Sequence, residues 1–329
     1  MDAKEIQLRA PRHAEHAGAA HAPATGSTDG PGPHLSHTGS APEFLVVDQQ
    51  HFRDQLNRTS FSFSHLLSDH PLLQLPRLSR LAALVARDPK HFYHMAGEVR
   101  MDLGWARSLP ALPLDECVLR IADLNSWVIL KHCEQDPEYL DLMHQCMREF
   151  GEASGWEVAR ETAAWELQVM VTSPHQLTPY HIDNECNFLF QIAGNKTISI
   201  FDQTDRSILT DQELEGFWAN DQNAAKLKPG SQERAKNYQL SSGKAVHLPV
   251  NAPHWVKNGA NVSISVSINC ELVRDRAARV FQANYYLRKL GLTPLPPGES
   301  ALRDTLKYAA LEGAKRVKNA LLKPLRLAQ

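Results

Sequence analysis

Nine residues late in the chain, Val262 to Cys270, alternate without a break. Val262, Ile264, Val266, Ile268 and Cys270 are apolar, and Ser263, Ser265, Ser267 and Asn269 between them are polar. A period of two belongs to a strand with one apolar and one polar face; a helix scatters such a pattern around its whole surface. Leu167–Thr172 alternates in the same way and is rich in β-branched residues. Asn187–Ala193 and Thr197–Phe201 flank the turn dipeptide Gly194-Asn195 and read as a hairpin. Several short strands separated by turn signals argue for a mainly β sandwich or barrel.

The flanks read differently. Residues 1–42 are rich in Ala, Gly, Pro, Ser and His and lack the apolar residues of a core, so a disordered tail is expected there. Residues 43–164 form an N-terminal flank with helical spacing at Leu78, Leu81, Leu84 and Val85. A second helix runs from Pro137 to about Phe150. Asp115–His132 fits helix or strand in part. The β core spans 165–272, and two further helices occupy 273–329. Inside the core, about 203–240 is a long insert. Thr210 and Glu213 have capping-box spacing at its short helix, and the insert is placed as a lid or wall over the site.

No apolar run approaches the length of a membrane span, and no signal-peptide pattern opens the chain. The five cysteines include no C-x-x-C pair, which argues against a zinc ribbon or disulfide framework and for a reducing, cytoplasmic setting. Residues 274–329 hold 12 Lys/Arg against 4 Asp/Glu. Without a helix-turn-helix or zinc-finger signature, that basic tail is no argument for nucleic acid.

The chemistry sits beside the strands. With 16 histidines and 37 acids, a His-x-acid triplet recurs by chance, and there are three here. His13-Ala14-Glu15 lies in the tail. His132-Cys133-Glu134 lies near a helix, where residues i and i+2 point apart. Only His181-Ile182-Asp183 lies at a strand edge, where both side chains face one way. A third ligand from a distant strand would complete two histidines and a carboxylate, a set that suits a facial iron site with open positions. His254 and His247 both compete for that place. Lys196 shares its strand face with Ile198 and Ile200. It is either a lysine snorkelling from a hairpin turn or a cation inside the barrel awaiting a carboxylate.

Thr178-x-x-His181-x-Asp183-x3-Asn187, followed by Lys196, resembles the JmjC/cupin-like Fe(II)- and 2-oxoglutarate-dependent oxygenases, nearest the asparaginyl-hydroxylase branch (factor inhibiting HIF). Leu248-Pro249-x4-His254 and Ser267-Ile268-Asn269 match the later motifs of that family. The resemblance implies a double-stranded β-helix, or jelly roll, with helical flanks. It implies Fe(II) on His181, Asp183 and His254, with O2 as cosubstrate. Lys196 and Thr178 would take the far carboxylate of 2-oxoglutarate, and Asn187 and Asn269 would sit near its iron-chelating end. The family's tyrosine on that carboxylate has no counterpart in the motif; Tyr180 is near in sequence but not at that position. The implied activity is a dioxygenase reaction, hydroxylase-like, on a protein side chain or a small molecule. The alternative is a cupin or JmjC-like metal-binding regulator without turnover, which would need neither Lys196 nor the asparagines.

The resemblance also implies a homodimer through the C-terminal helices. The stripe Leu302, Leu306, Ala309, Ala310, Val317 and Leu321 would otherwise face its own domain, or leave Lys315, Arg316, Lys318 and Lys323 to an anionic surface.

Overall fold

The alternating strand is the centre of the molecule. A computed structural model describes residues 44–97, 99–101, 107–273 and 276–326, with side chains as far as Val317. The expected tail, 1–42, lies outside the described residues, as do the side chains of Lys318, Leu321 and Lys323. In chain order the strands are β1 Leu45–Val46, β2 Phe61–His65, β3 Phe92–Ala96, β4 Ser126–Leu130, β5 Thr162–Thr172, β6 Leu177–His181, β7 Cys186–Ala193, β8 Lys196–Ile200, β9 Lys236–Leu240, β10 Lys244–Leu248, β11 His254–Asn258 and β12 Ser263–Leu272. The helices are α1 Gln49–Gln55, α2 Leu75–Val85, α3 Leu114–Leu119, α4 Pro137–Ser154, α5 Val158–Glu161, α6 Asp211–Trp218, α7 Arg276–Lys289 and α8 Ala301–Arg326.

The strands form two antiparallel sheets, a large one ordered β1-β2-β10-β7-β12-β5-β4-β3 and a small one ordered β6-β11-β8-β9. From β5 to β12 the chain passes repeatedly between them. β12 lies between β5 and β7 and is buried along most of its length. Its apolar face, Ile264 to Cys270, packs with Leu167, Val169, Phe188 and Phe190 against α1, α2 and α4. Phe150 of α4 stacks on Phe188 at 3.8 Å between ring centroids. The polar face is equally buried and points into the space between the sheets. Its hydroxyls are paired: Ser265 donates to Gln191 Oε1 at 2.7 Å, and Gln191 Nε2 donates to Ser263 Oγ at 3.0 Å. The polar side of the strand therefore lines an interior, where every polar atom needs a partner or a ligand.

Facing it, Leu189, Ile198, Ile200, Leu240, Val246, Leu248, Ala252 and Val256 form an apolar lining between the sheets. The Gly194 turn expected between β7 and β8 is present with φ +73°, and a Cβ there would meet the Val262 carbonyl oxygen at 2.2 Å.

Three expectations are sharpened. The N-terminal flank adds strands to its helices: β1, where Phe44–Val47 reads as a short strand, and β2 extend one edge of the large sheet and β3 and β4 the other, and β5 starts before residue 165. Asp115–His132 divides into the end of α3 and β4. The insert is a wall on the outside. It adds β9 to the small sheet, and Leu214 and Phe217 of α6 pack with Tyr180, Ile182, Phe201 and Phe281 on that sheet's outer face. The Thr210–Glu213 capping box is formed. No described helix is long and apolar enough to cross a membrane.

Candidate metal centre and its interior lysine

His181 ends β6 and His254 begins β11, and the two are direct partners across the small sheet. Asp183 follows β6 by two residues. Its carbonyl accepts the Asn251 N–H at 2.9 Å, which fastens the loop carrying Asp183 to the turn before His254. Asn251 adopts a left-handed φ of 63°, a conformation asparagine tolerates well, and the chain then turns through Ala252-Pro253 into β11.

Asp183 Oδ1 lies 3.9 Å from His181 Nε2, and Oδ2 lies 3.7 Å from His254 Nε2. The three ligand atoms all fall within 4.8 Å of one another. Each histidine bonds a carbonyl two residues back through Nδ1, His181 to Pro179 O at 2.7 Å and His254 to Ala252 O at 2.9 Å. A carbonyl accepts only, so both rings carry hydrogen on Nδ1 and turn the lone pair of Nε2 to the centre. Both imidazoles are lowered to about 4, His181 by burial and His254 by burial and then by the neighbouring His181. Both are therefore neutral at pH 7, the form that binds metal. The residues present fit a divalent ion held by two nitrogens and a carboxylate.

His247, the competing third ligand, is excluded. Its Nε2 accepts the Asn57 N–H at 2.9 Å and its Nδ1 bonds Asn187 O at 3.1 Å, so both nitrogens are used within the fold. His132 and Glu134 pair with each other at 3.2 Å in an exposed turn.

Lys196 is 6% exposed and opens β8 on the face shared with Ile198 and Ile200. Ile200 lies opposite His254, and Lys196 lies opposite Asn258. The lysine thus stands four residues along the sheet from the metal ligands, about 13 Å of strand. Burial alone depresses its pKa to about 7, with no acid among the described residues opposing it. Thr178 lies opposite Val256 on the same small sheet.

Asn187 and Asn269 are direct partners on β7 and β12. Asn187 Nδ2 donates to Asn269 Oδ1 and to Ser267 Oγ, both at 2.7 Å, and Ser267 Oγ donates to Asn269 Oδ1 at 2.7 Å. Asn187 Oδ1 is buried without a protein partner among the described residues. Tyr180 packs edge-on against Phe201 on the outer face of the small sheet, away from the interior.

Three groups here have no role assigned by the motif. Ser267 closes the asparagine triangle. Asn258 stands opposite Lys196. Glu185, two residues beyond Asp183, is raised to about 8 by burial and then by Asp183, Glu166 and Glu271. Spacing could have pointed to Ser267, which shares a strand face with Asn269. Nothing in the sequence distinguishes Glu185 from a surface acid.

No family model and no curated protein matches the sequence. Among solved structures, that of Escherichia coli ycfD matches at a TM-score of 0.50 and 14% identity, covering 82% of this chain and 68% of that one. The chain shares the ycfD fold. At this identity the likeness to ycfD is one of fold alone. A structure described as YcfD, a ribosomal oxygenase from Escherichia coli, in complex with cobalt and 2-oxoglutarate, matches at a TM-score of 0.48 and 14% identity, covering 82% of this chain and 67% of that one. The DMSP lyase DddQ from Ruegeria pomeroyi DSS-3 matches at a TM-score of 0.22 and 12% identity, over 32% of this chain and 38% of that one.

Proposed function

We propose that this chain is an Fe(II)- and 2-oxoglutarate-dependent oxygenase of the JmjC/cupin-like superfamily, acting as a hydroxylase on a protein side chain or a small molecule. The observation that carries the proposal is one interior holding both a His-Asp-His centre and, further along the same sheet, a buried lysine that no acid among the described residues opposes. A metal-binding cupin without oxygenase turnover has use for the first and none for the second. The strand orders β5-β12-β7-β10 and β6-β11-β8-β9 support reading the core as a double-stranded β-helix. The ycfD likeness supports the superfamily and adds nothing for the asparaginyl-hydroxylase branch.

His181, Asp183 and His254 would hold Fe(II) and leave its remaining positions to cosubstrate and O2. When bound, iron supplies O2 activation coupled to oxidation of 2-oxoglutarate to succinate and CO2. Lys196 binds the far carboxylate through a charge-assisted bond, and the Thr178 hydroxyl donates to it. Asn187 and Asn269 orient the chelating end. Leu189, Ile198, Val246 and Val256 keep water from the space between. Anaerobic titration tests this reading: one equivalent of Fe(II) should bind, and 2-oxoglutarate should then bind one to one. Binding of metal without 2-oxoglutarate would favour the non-oxygenase alternative.

The proposal includes a homodimer through α8. This helix turns its polar side to its own domain: Asp304 is buried, Thr305 accepts from Arg276, and Glu312 pairs with Arg279 at 3.6 Å. Leu302, Leu306 and Val317 are 71%, 61% and 60% exposed. As far as Val317, the stripe does not face its own core. A two-fold axis has to make one surface complement itself. Antiparallel pairing about Ala309 and Ala310 sets Leu302 against Val317 and Leu306 against Gly313, beside which a Cβ would meet nothing within 4 Å.

A further inference from the structure

The proposed role of Lys196 leaves open what holds a long flexible cation in place inside an apolar barrel. Its cross-strand neighbours are Leu240 on β9 and Asn258 on β11. Directly opposed residues of an antiparallel pair present their side chains on one face, with Cβ atoms about 5 Å apart. Leu240 belongs to the apolar lining and offers an ammonium no acceptor. Asn258 does. It is 6% exposed, and its amide nitrogen is committed to the other sheet: Nδ2 donates to Thr172 Oγ1 and, at 3.3 Å, to the Ser173 carbonyl. Its backbone N–H is also fixed, donating to the Gln176 carbonyl at 2.9 Å. With the nitrogen end fastened, the carbonyl oxygen is the end of the amide left for Lys196.

We propose that Asn258, held by Thr172, is the positioning residue for Lys196: the two stand opposite one another on β11 and β8, and with cosubstrate bound Asn258 Oδ1 accepts from the ammonium and keeps it directed along the interior toward the far carboxylate. The inference rests on the cosubstrate reading of Lys196. The amide matters because it is neutral. A carboxylate at 258 would pair with Lys196 itself and occupy the charge that 2-oxoglutarate needs, whereas an amide orients the cation and leaves that charge free.

The test is 2-oxoglutarate binding to the full chain loaded anaerobically with Fe(II), followed by calorimetry. Asn258→Asp should weaken 2-oxoglutarate by at least about tenfold, the worth of one charge-assisted hydrogen bond, with Fe(II) affinity unchanged. In a Lys196→Met background the same substitution should have no further effect on 2-oxoglutarate. That coupling is one a merely structural role would not produce. In turnover, Asn258→Asp should raise the KM for 2-oxoglutarate and spare kcat at saturation. Thr172→Val, which removes one of the amide's two anchors without adding charge, should weaken binding in the same direction by a smaller factor and serves if Asn258→Asp does not fold. A folded Asn258→Asp or Thr172→Val protein with wild-type 2-oxoglutarate affinity overturns the proposal alone. Additive effects in the Lys196 background do the same. Failure of the wild-type protein to bind 2-oxoglutarate at all overturns the cosubstrate reading and this proposal with it.

Discussion

Binding of 2-oxoglutarate should be coupled to proton uptake, because Lys196 waits in the interior with its pKa depressed to about 7 by burial. A carboxylate docked on the ammonium removes the cause of that depression and returns the group toward its ordinary value near 10.4. The sign follows: the ligand raises the pKa, so binding takes up a proton and weakens as pH rises through 7. At pH 6 the free lysine is already mostly charged and uptake should be about 0.1 proton. At pH 8 it should be about 0.9, and between pH 7 and pH 9 the apparent Kd should rise about 50-fold. Titration calorimetry in buffers of different ionisation enthalpy measures the uptake directly, on protein held anaerobically with Fe(II). Lys196→Met should abolish the buffer dependence, flatten the pH profile and weaken binding by a further 10- to 100-fold or so. An uptake near zero at pH 8, or the same pH slope in Lys196→Met, would refute the placement of this ammonium on the cosubstrate.

Other outcomes follow from the same structure. Asp183→Ala removes the only carboxylate of the centre; Fe(II) affinity should fall by at least about tenfold and turnover should be lost, while circular dichroism shows the fold intact. His247 is held neutral by burial, with a pKa of about 3. The unfolded chain protonates this residue below its ordinary value of about 6.5 and the folded chain does not, so His247 alone should contribute about 1.4 kcal/mol of lost stability per pH unit between 6.5 and its folded pKa, beside the like contributions of His181 and His254. His247→Gln should lower the slope in denaturant titrations by that one share. Phe188→Ala deletes a ring stacked on Phe150 in the main core and should cost about 3–5 kcal/mol of unfolding free energy. Leu306→Arg should convert a salt-resistant dimer to monomer by light scattering at micromolar protein, because apolar burial is not screened. A wild-type monomer at all salt concentrations would return α8 to another role.

The elements legible in the sequence were those whose periodicity or turn chemistry is local. The alternation in β12, the Gly194-Asn195 hairpin, the Thr210–Glu213 capping box and the Pro137 helix start all reappear in the structure. The His181-x-Asp183 pair was legible because period-two geometry sets both side chains on one side of a strand edge. His254 over His247 was legible through the family resemblance and not from local spacing, since the choice depends on where Asn57 and Asn187 place their backbone, 190 and 60 residues away in the chain. The polar face of β12 gave no sign of being interior. Alternation tells two faces apart, and only the second sheet, formed by distant strands, decides which of them meets water. The exposure of Leu306 and Leu302 is of the same kind: an amphipathic pattern locates a stripe, and the Arg279–Glu312 ion pair and the Arg276–Thr305 hydrogen bond between α7 and α8 decide which way it points. Asn258 became visible only through the register that sets it opposite Lys196.

The measurement that bears most directly on the central claim is a single turnover. Protein loaded anaerobically with one equivalent each of Fe(II) and 2-oxoglutarate is mixed with O2-saturated buffer, and succinate is quantified. Succinate formed only when all three are present, in amounts approaching one per active site and lost in Asp183→Ala, is the predicted result. 2-Oxoglutarate recovered unchanged from protein shown to hold both metal and cosubstrate would contradict the account.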